Sequence, residues 1–132
     1  MKMNSAGVRQ TALRFGVAAL LVAGITAGGA VPAQAVPSNC SPGLTCLYGS
    51  EDYKTAGGVY RFEFGVPSIG ALDNKVKSVY NYGRSCNARI YMDTNYTGRN
   101  LLIPRGGGYK TLDFYDGIYN WSHSVSSAKF VC

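Results

Sequence analysis

The sequence predicts an all-β protein, a small sandwich or partly closed barrel of short strands. Three observations predict it. Apolar and polar residues alternate with period two in several short segments, as in strands with one buried face. Turn-forming clusters rich in glycine and asparagine separate those segments at short intervals. One set of landmarks, a tyrosine, a second tyrosine five residues on and then a glycine, is written twice, from Tyr48 and again from Tyr91. Long runs of strong helix formers are absent after residue 35, where all 10 tyrosines of the chain are found.

The first 35 residues stand apart. Lys2, Arg9 and Arg14 make a basic start, an apolar run extends from Phe15 to Ala27, and "AVPAQA" closes it with small residues at Ala33 and Ala35. That layout is a secretory signal peptide, with cleavage expected after about Ala35 and a secreted, extracellular product. The run falls short of the roughly 18 apolar residues of a membrane span, so none is expected in the mature chain. What remains, 132 − 35 = 97 residues, makes a single domain, 36–132. Its net charge is 10 − 7 = +3, with the basic residues scattered. No stripe forms, and a nucleic-acid partner is not expected.

Taken in order, "GVYRFEF" (58–64) sets Tyr60, Phe62 and Phe64 on one face and Arg61 and Glu63 on the other. In "KVKSVYNY" (75–82), Val76 opposes Lys75 and Lys77. "NARIYMD" (87–93), "RNLLIP" (99–104) and "SSAKFVC" (126–132) complete the strands. A strand ending in Tyr48 or Tyr91 is expected to enter a tight hairpin needing glycine at positive φ, with the second tyrosine covering the turn. The triple glycine 106–108 is expected to be a flexible hairpin tip. Beyond the paired tyrosines, Gly57 matches Gly98, Phe62 matches Ile103, Val76 matches Val125 and Ser78 matches Ser127. The halves, about 44–84 and 87–131, each have an incomplete core and must pack together to bury it. The aromatic insert "YKTLDFYDGIYNW" is expected to be a lid on the core; otherwise Tyr115, Tyr119 and Trp121 are contact residues.

The four cysteines, Cys40, Cys46, Cys86 and Cys132, lie in the exported part, which predicts two disulfides. Three pairings are possible for four cysteines. Cys40–Cys46 is preferred because Pro42 and Gly43 in "CSPGLTC" fold back readily, which leaves Cys86–Cys132.

Little in the chain supports catalysis. His123 is the one histidine, and no second is available for a metal triad. Asp113 and Asp116 are neighbours without the pattern of a catalytic pair, and Gly106–Gly108 lacks the lysine and the helix of a phosphate loop. The chain is expected not to be an enzyme.

The order Tyr-x4-Tyr, Gly, Phe or Ile, followed by "DNKVKS" or "SHSVSS", resembles the Greek-key repeat of the βγ-crystallin superfamily. Within it, "CSPGLTCLYGSEDY", "KVKSVYN" and "YMDTNYTG" resemble the small secreted actinobacterial metalloproteinase inhibitors of the Streptomyces type. The resemblance covers 40–131 and implies a disulfide-stapled sandwich of two Greek keys. It also implies a monomeric inhibitor of extracellular, thermolysin-like metalloproteases that acts by a rigid exposed loop. "NYGRSCN" (81–87) is the preferred loop, with Tyr82, Gly83, Arg84, Ser85, Cys86 and Asn87 as its candidate residues; "IPRGGGYK" (103–110) is the second. The same fold hosts calcium proteins. The pattern is degenerate here: Asp73, Asn74 and Ser78 remain in one copy but Lys77 occupies a hydroxyl position, while the other keeps Ser126 and Ser127 behind Ser122 and His123. No cofactor is expected. A killer-toxin-like or antimicrobial protein, a subunit of a secreted assembly and a calcium-binding structural protein are the alternatives the fold allows.

Overall fold

In the computed structural model, residues 34–113 and 117–132 are described. Almost all of the expected signal peptide lies outside the described residues, as do Phe114, Tyr115 and Asp116 of the insert. The strands are β1 (Thr45–Tyr48), β2 (Val59–Phe62), β3 (Gly65–Val66), β4 (Ser78–Asn81), β5 (Asn87–Tyr91), β6 (Asn100–Ile103), β7 (Gly107–Tyr109) and β8 (Ser127–Val131). They form two antiparallel sheets of four, ordered β2-β1-β4-β7 and β3-β8-β5-β6. The third strand of each half crosses over. Gly65 and Val66 pair with Lys129 and Ala128, and Tyr109, Gly108 and Gly107 pair with Val79, Tyr80 and Asn81.

Alternation then sorts the side chains. Leu47, Phe62, Val79, Ile90, Ile103 and Ala128 meet between the sheets, joined by Val76 and Val125. Cys46, Tyr48 and Tyr80 point the other way and join Cys40 and Tyr53 in a second cluster. The insert contributes Leu112 and Trp121 to the main core. The Leu112 carbonyl accepts both the Trp121 and the Ser122 N–H at 3.1 Å, and the Leu112 N–H donates to the Lys77 carbonyl at 2.9 Å. The described part of the insert is therefore a lid, and Trp121 is buried.

Four local expectations need correction. The 75–82 strand is confined to β4, and Val76 reaches the core from the arch before it. Phe64 is 81% exposed although Phe62 is 6% exposed, because the chain leaves β2 there for the opposite sheet. The triple glycine is a turn only at Gly106, which takes φ 72°; Gly107 and Gly108 enter β7, where a Cβ on Gly108 would stand 2.3 Å from the Val79 carbonyl oxygen. Only glycine lets those backbones approach so closely.

The hairpins are not tight either. Tyr48 pairs with Val59 and Tyr91 with Asn100, so loops 49–58 and 92–99 fold back over the sheets. Gly98 takes positive φ, but in the first half Gly58 does so rather than Gly57. Positive φ also falls on Asp52 and Tyr53 (54° and 59°) and on Asn95 and Tyr96 (55° and 63°). A left-handed backbone at a residue with a Cβ costs roughly 1–2 kcal/mol. The same serine offsets it in both halves. The Tyr53 N–H donates to Ser78 Oγ (3.1 Å), whose hydroxyl donates to the Ser50 carbonyl (2.6 Å). The Tyr96 N–H donates to Ser127 Oγ (3.0 Å), whose hydroxyl donates to the Asp93 carbonyl (2.6 Å). The Tyr53 ring rests 5.6 Å from those of Tyr48 and Tyr80, and the Tyr96 ring 6.0 Å from that of Tyr91. Ser78→Ala and Ser127→Ala should each lower stability by about 1–3 kcal/mol, read from urea midpoints, because each strands a backbone amide and a carbonyl. Ser78→Ala should cost more, since the Tyr53 amide is buried and the Tyr96 amide half-buried. An unchanged midpoint would mean that the hydroxyls do not hold the hairpins.

Candidate functional site

The chain passes from the first half to the second through residues 82–86, between β4 and β5, with Asn87 opening β5. At the end of β4, alternation turns Asn81 inward, where the side chain is wholly buried. Its Nδ2 donates to the Cys86 carbonyl (3.2 Å) and the Ile103 carbonyl (3.1 Å), and its Oδ1 accepts from the Gly83 N–H (2.8 Å) and the Thr45 hydroxyl (3.2 Å). One side chain thus binds both ends of the loop to β1 and β6. Tyr82 is fixed from the other side, its N–H donating to the Leu44 carbonyl (2.9 Å) and its carbonyl accepting the Gly43 N–H (2.8 Å). Arg105 adds a further brace, with Nη1 donating to the Arg84 carbonyl (3.1 Å) and its N–H donating to Asn87 Oδ1 (3.0 Å).

Both disulfides serve the same loop. Cys86 is bonded to Cys132, and Cys40 to Cys46. The second bridge encloses Gly43 and Leu44, the segment that holds Tyr82. Gly83 is buried, and a Cβ there would lie 2.4 Å from Phe130 Cε1 and 2.8 Å from Asn81 Oδ1. Arg84 and Ser85 alone form the exposed crest between buried Gly83 and half-buried Cys86. Beside the crest is an open depression of about 300 Å³, lined by Gly43, Glu63, Phe64, Phe130 and the Cys86–Cys132 bridge together with Arg84 and Ser85. Sequence reasoning named this loop as the candidate but did not name its supports, Asn81 and Arg105. An asparagine at an inward position of "SVYNY" was the available signal, because a polar side chain there must be satisfied.

In the second candidate, 103–110, Pro104, Arg105 and Gly106 form an exposed turn, while Gly107–Tyr109 is held as β7 against β4 and the Gly106 N–H donates to the Asn81 carbonyl at 2.8 Å. It supports the first loop.

The tyrosine cluster reaches the same place, the Tyr80 and Tyr82 rings lying 6.2 Å apart. Burial above all, then Tyr80, Tyr48 and Asp52, pushes the Tyr53 hydroxyl up to about 12. Burial likewise raises Tyr48 and Tyr80. The unfolded chain ionises these groups first, near the ordinary value of 10. Stability held below that value is therefore lost as pH climbs from about 10 toward about 12. Melting temperature should fall across that window, with tyrosinate absorbance of Tyr53 appearing last, and Tyr53→Phe should blunt the fall.

In the degenerate calcium loops, the Ser78 and Ser127 hydroxyls are committed to the hairpins. Asn74 and His123 occupy the equivalent left-handed positions, φ 54° and 69°, and His123 is exposed. Asp73 Oδ1 and Ser122 Oγ, also equivalent, are buried without a hydrogen-bond partner. Ser126 is buried. Among the described residues no group of three or more His, Cys, Asp or Glu is placed to hold a metal, and no helix is long and apolar enough to cross a membrane.

Comparison with known proteins agrees with the fold. A structure from a study of the evolution of the eye lens βγ-crystallin fold matches at TM-score 0.60 and 19% identity, over 74% of this chain and 93% of the other. An archaeal βγ-crystallin matches at TM-score 0.55 and 23% identity, over 69% and 100%. A βγ-crystallin from Ciona intestinalis matches at TM-score 0.55 and 16% identity, over 67% and 100%. These likenesses concern the fold, a βγ-crystallin-like sandwich. No curated protein matches the chain. The model of peptidase inhibitor family I36 matches residues 33–103, more than half of the 132. The chain is thus a member of peptidase inhibitor family I36, a non-enzymatic inhibitor whose partner is a peptidase.

Proposed function

We propose that this inhibitor acts outside the cell, on metalloproteases, by presenting loop 82–87 as a stiff segment with Arg84 and Ser85 at its crest. The observation that carries this reading is the contrast within the loop: the crest is exposed while Asn81, Tyr82, Gly83 and Cys86 are bonded on every side. A segment already held in one shape loses little conformational entropy on docking. If the peptidase engages the crest as substrate, the bonds to Asn81 and Arg105 resist the movement that would carry a cleaved end away. Two disulfides suit an oxidising, extracellular compartment. On this reading the chain acts as a monomer and without calcium or another cofactor; Lys77 at a hydroxyl position and the engaged Ser78 and Ser127 hydroxyls favour the absence of an ion.

The test is titration of an active zinc metalloprotease with the oxidised chain 36–132, following residual activity. Stoichiometric loss that persists in excess zinc and calcium is the expected result. Full activity at micromolar inhibitor, repeated across several metalloproteases, would sink the metalloprotease reading, and a serine protease inhibited instead would redirect it.

A further inference from the structure

Phe64 is the most exposed large apolar side chain among the described residues, 81% against 71% for Ile118. Its backbone is nevertheless held fast. The Phe64 carbonyl accepts the Phe130 N–H at 3.1 Å, and Gly65 and Val66 immediately after it are paired with β8. The ring therefore projects from a fixed base at the crossing between sheets, and it packs into neither core cluster. It lies on the rim of the depression that Arg84, Ser85 and Cys86 also line, with Glu63 beside it.

We propose that Phe64 is the apolar anchor of this inhibitor: its ring enters a side-chain subsite of the peptidase while the 84–85 crest lies along the cleft. This rests on the loop reading above and adds a specificity-determining residue from a different part of the chain. The shared depression makes the two features continuous, so a partner seated on the crest covers Phe64 as well. A second copy of the chain is a poorer occupant. One aromatic ring buries roughly 150–250 Å², against roughly 800 Å² a side for a standard-sized stable interface, and the depression beside it, though lined in part by Phe130 and the Cys86–Cys132 bridge, is bordered by the charged Glu63 and Arg84. A single exposed ring at the edge of one small depression matches insertion into a pocket, the usual form of an interface hot spot.

The experiment compares wild type, Phe64→Ala, Phe64→Leu and Arg84→Ala against a metalloprotease that the wild type inhibits, with melting temperature and sedimentation recorded for each. Phe64→Ala should weaken inhibition by about 30-fold or more, the effect of truncating a central anchor. Phe64→Leu should keep most of the affinity, and neither should lower the melting temperature. Equal inhibition by wild type and Phe64→Ala, with Arg84→Ala impaired, would overturn the anchor and leave the loop reading intact. A wild-type dimer that Phe64→Ala converts to monomer without change in inhibition would also overturn it. A wild type that inhibits no peptidase would overturn both readings.

Discussion

Asn81→Ala is expected to be the most damaging single substitution outside the central core. It removes a wholly buried amide that makes four hydrogen bonds. Three of the abandoned partners are backbone groups, of Gly83, Cys86 and Ile103, and an unsatisfied buried group costs about 1–3 kcal/mol. Some partners will find water in the space left, so a total of about 3–5 kcal/mol is expected. A domain of this size has about 5–15 kcal/mol in all. Inhibition should weaken more than stability alone explains, because the Gly83 N–H is released and the crest loses its preformed shape. Amide exchange at Gly83 distinguishes the two effects: it should accelerate in Asn81→Ala under conditions where the core strands remain protected. An intact inhibition constant in a folded Asn81→Ala would show that rigidity of this loop is not what the peptidase measures.

The second large effect is expected from Cys86→Ser with Cys132→Ser. That bridge closes a separation of 46 residues, against 6 for Cys40–Cys46. On the chain-entropy account the long closure contributes about 4 kcal/mol and the short one about 2. A loss of 4 kcal/mol in a domain this small corresponds to a fall of roughly 15–30 °C in melting temperature. The double variant should also inhibit poorly, since Cys86 anchors the end of the crest. Cys132 is exposed and Cys86 half-buried, whereas Cys40 and Cys46 are buried. Mild reductant should therefore open Cys86–Cys132 first, and alkylation followed by mass mapping reports the order. If Cys40–Cys46 opened first, or if the long bridge proved worth less than the short one, the account of how this fold is stapled would fail.

Much of the architecture was legible because strands with one buried face write their alternation openly. Leu101 and Ile103 in β6, or Ala88 and Ile90 in β5, belong to one face and to one core. Legibility failed where the chain changes sheets. Phe64 continues the alternation of Tyr60 and Phe62, yet the strand has ended, and no periodicity marks such a crossing. It failed again at β7, where glycine weakens strand propensity and the reason for glycine, the nearness of the Val79 carbonyl, is a tertiary fact. The left-handed tyrosines 53 and 96 were hidden for a different cause. Tyrosine rarely adopts positive φ, and only the distant serines and ring contacts make it tolerable here. For the candidate site, the position of the loop and one of its anchors could be read from Cys86, but the other supports, Asn81, Arg105 and the 43–44 segment, could not, because they are tertiary contacts.

The crossing of β3 and β7 has a consequence for what hydrolysis could achieve. A cut at Arg84–Ser85 would divide the chain into pieces that share no disulfide, since Cys40–Cys46 lies wholly before the cut and Cys86–Cys132 wholly after it. Yet each piece has lent a strand to the other's sheet. The product is an interlocked heterodimer whose new amine and carboxylate are kept as close neighbours, at high effective concentration. On the proposed loop reading, resealing would compete with dissociation, and the nicked chain would still inhibit.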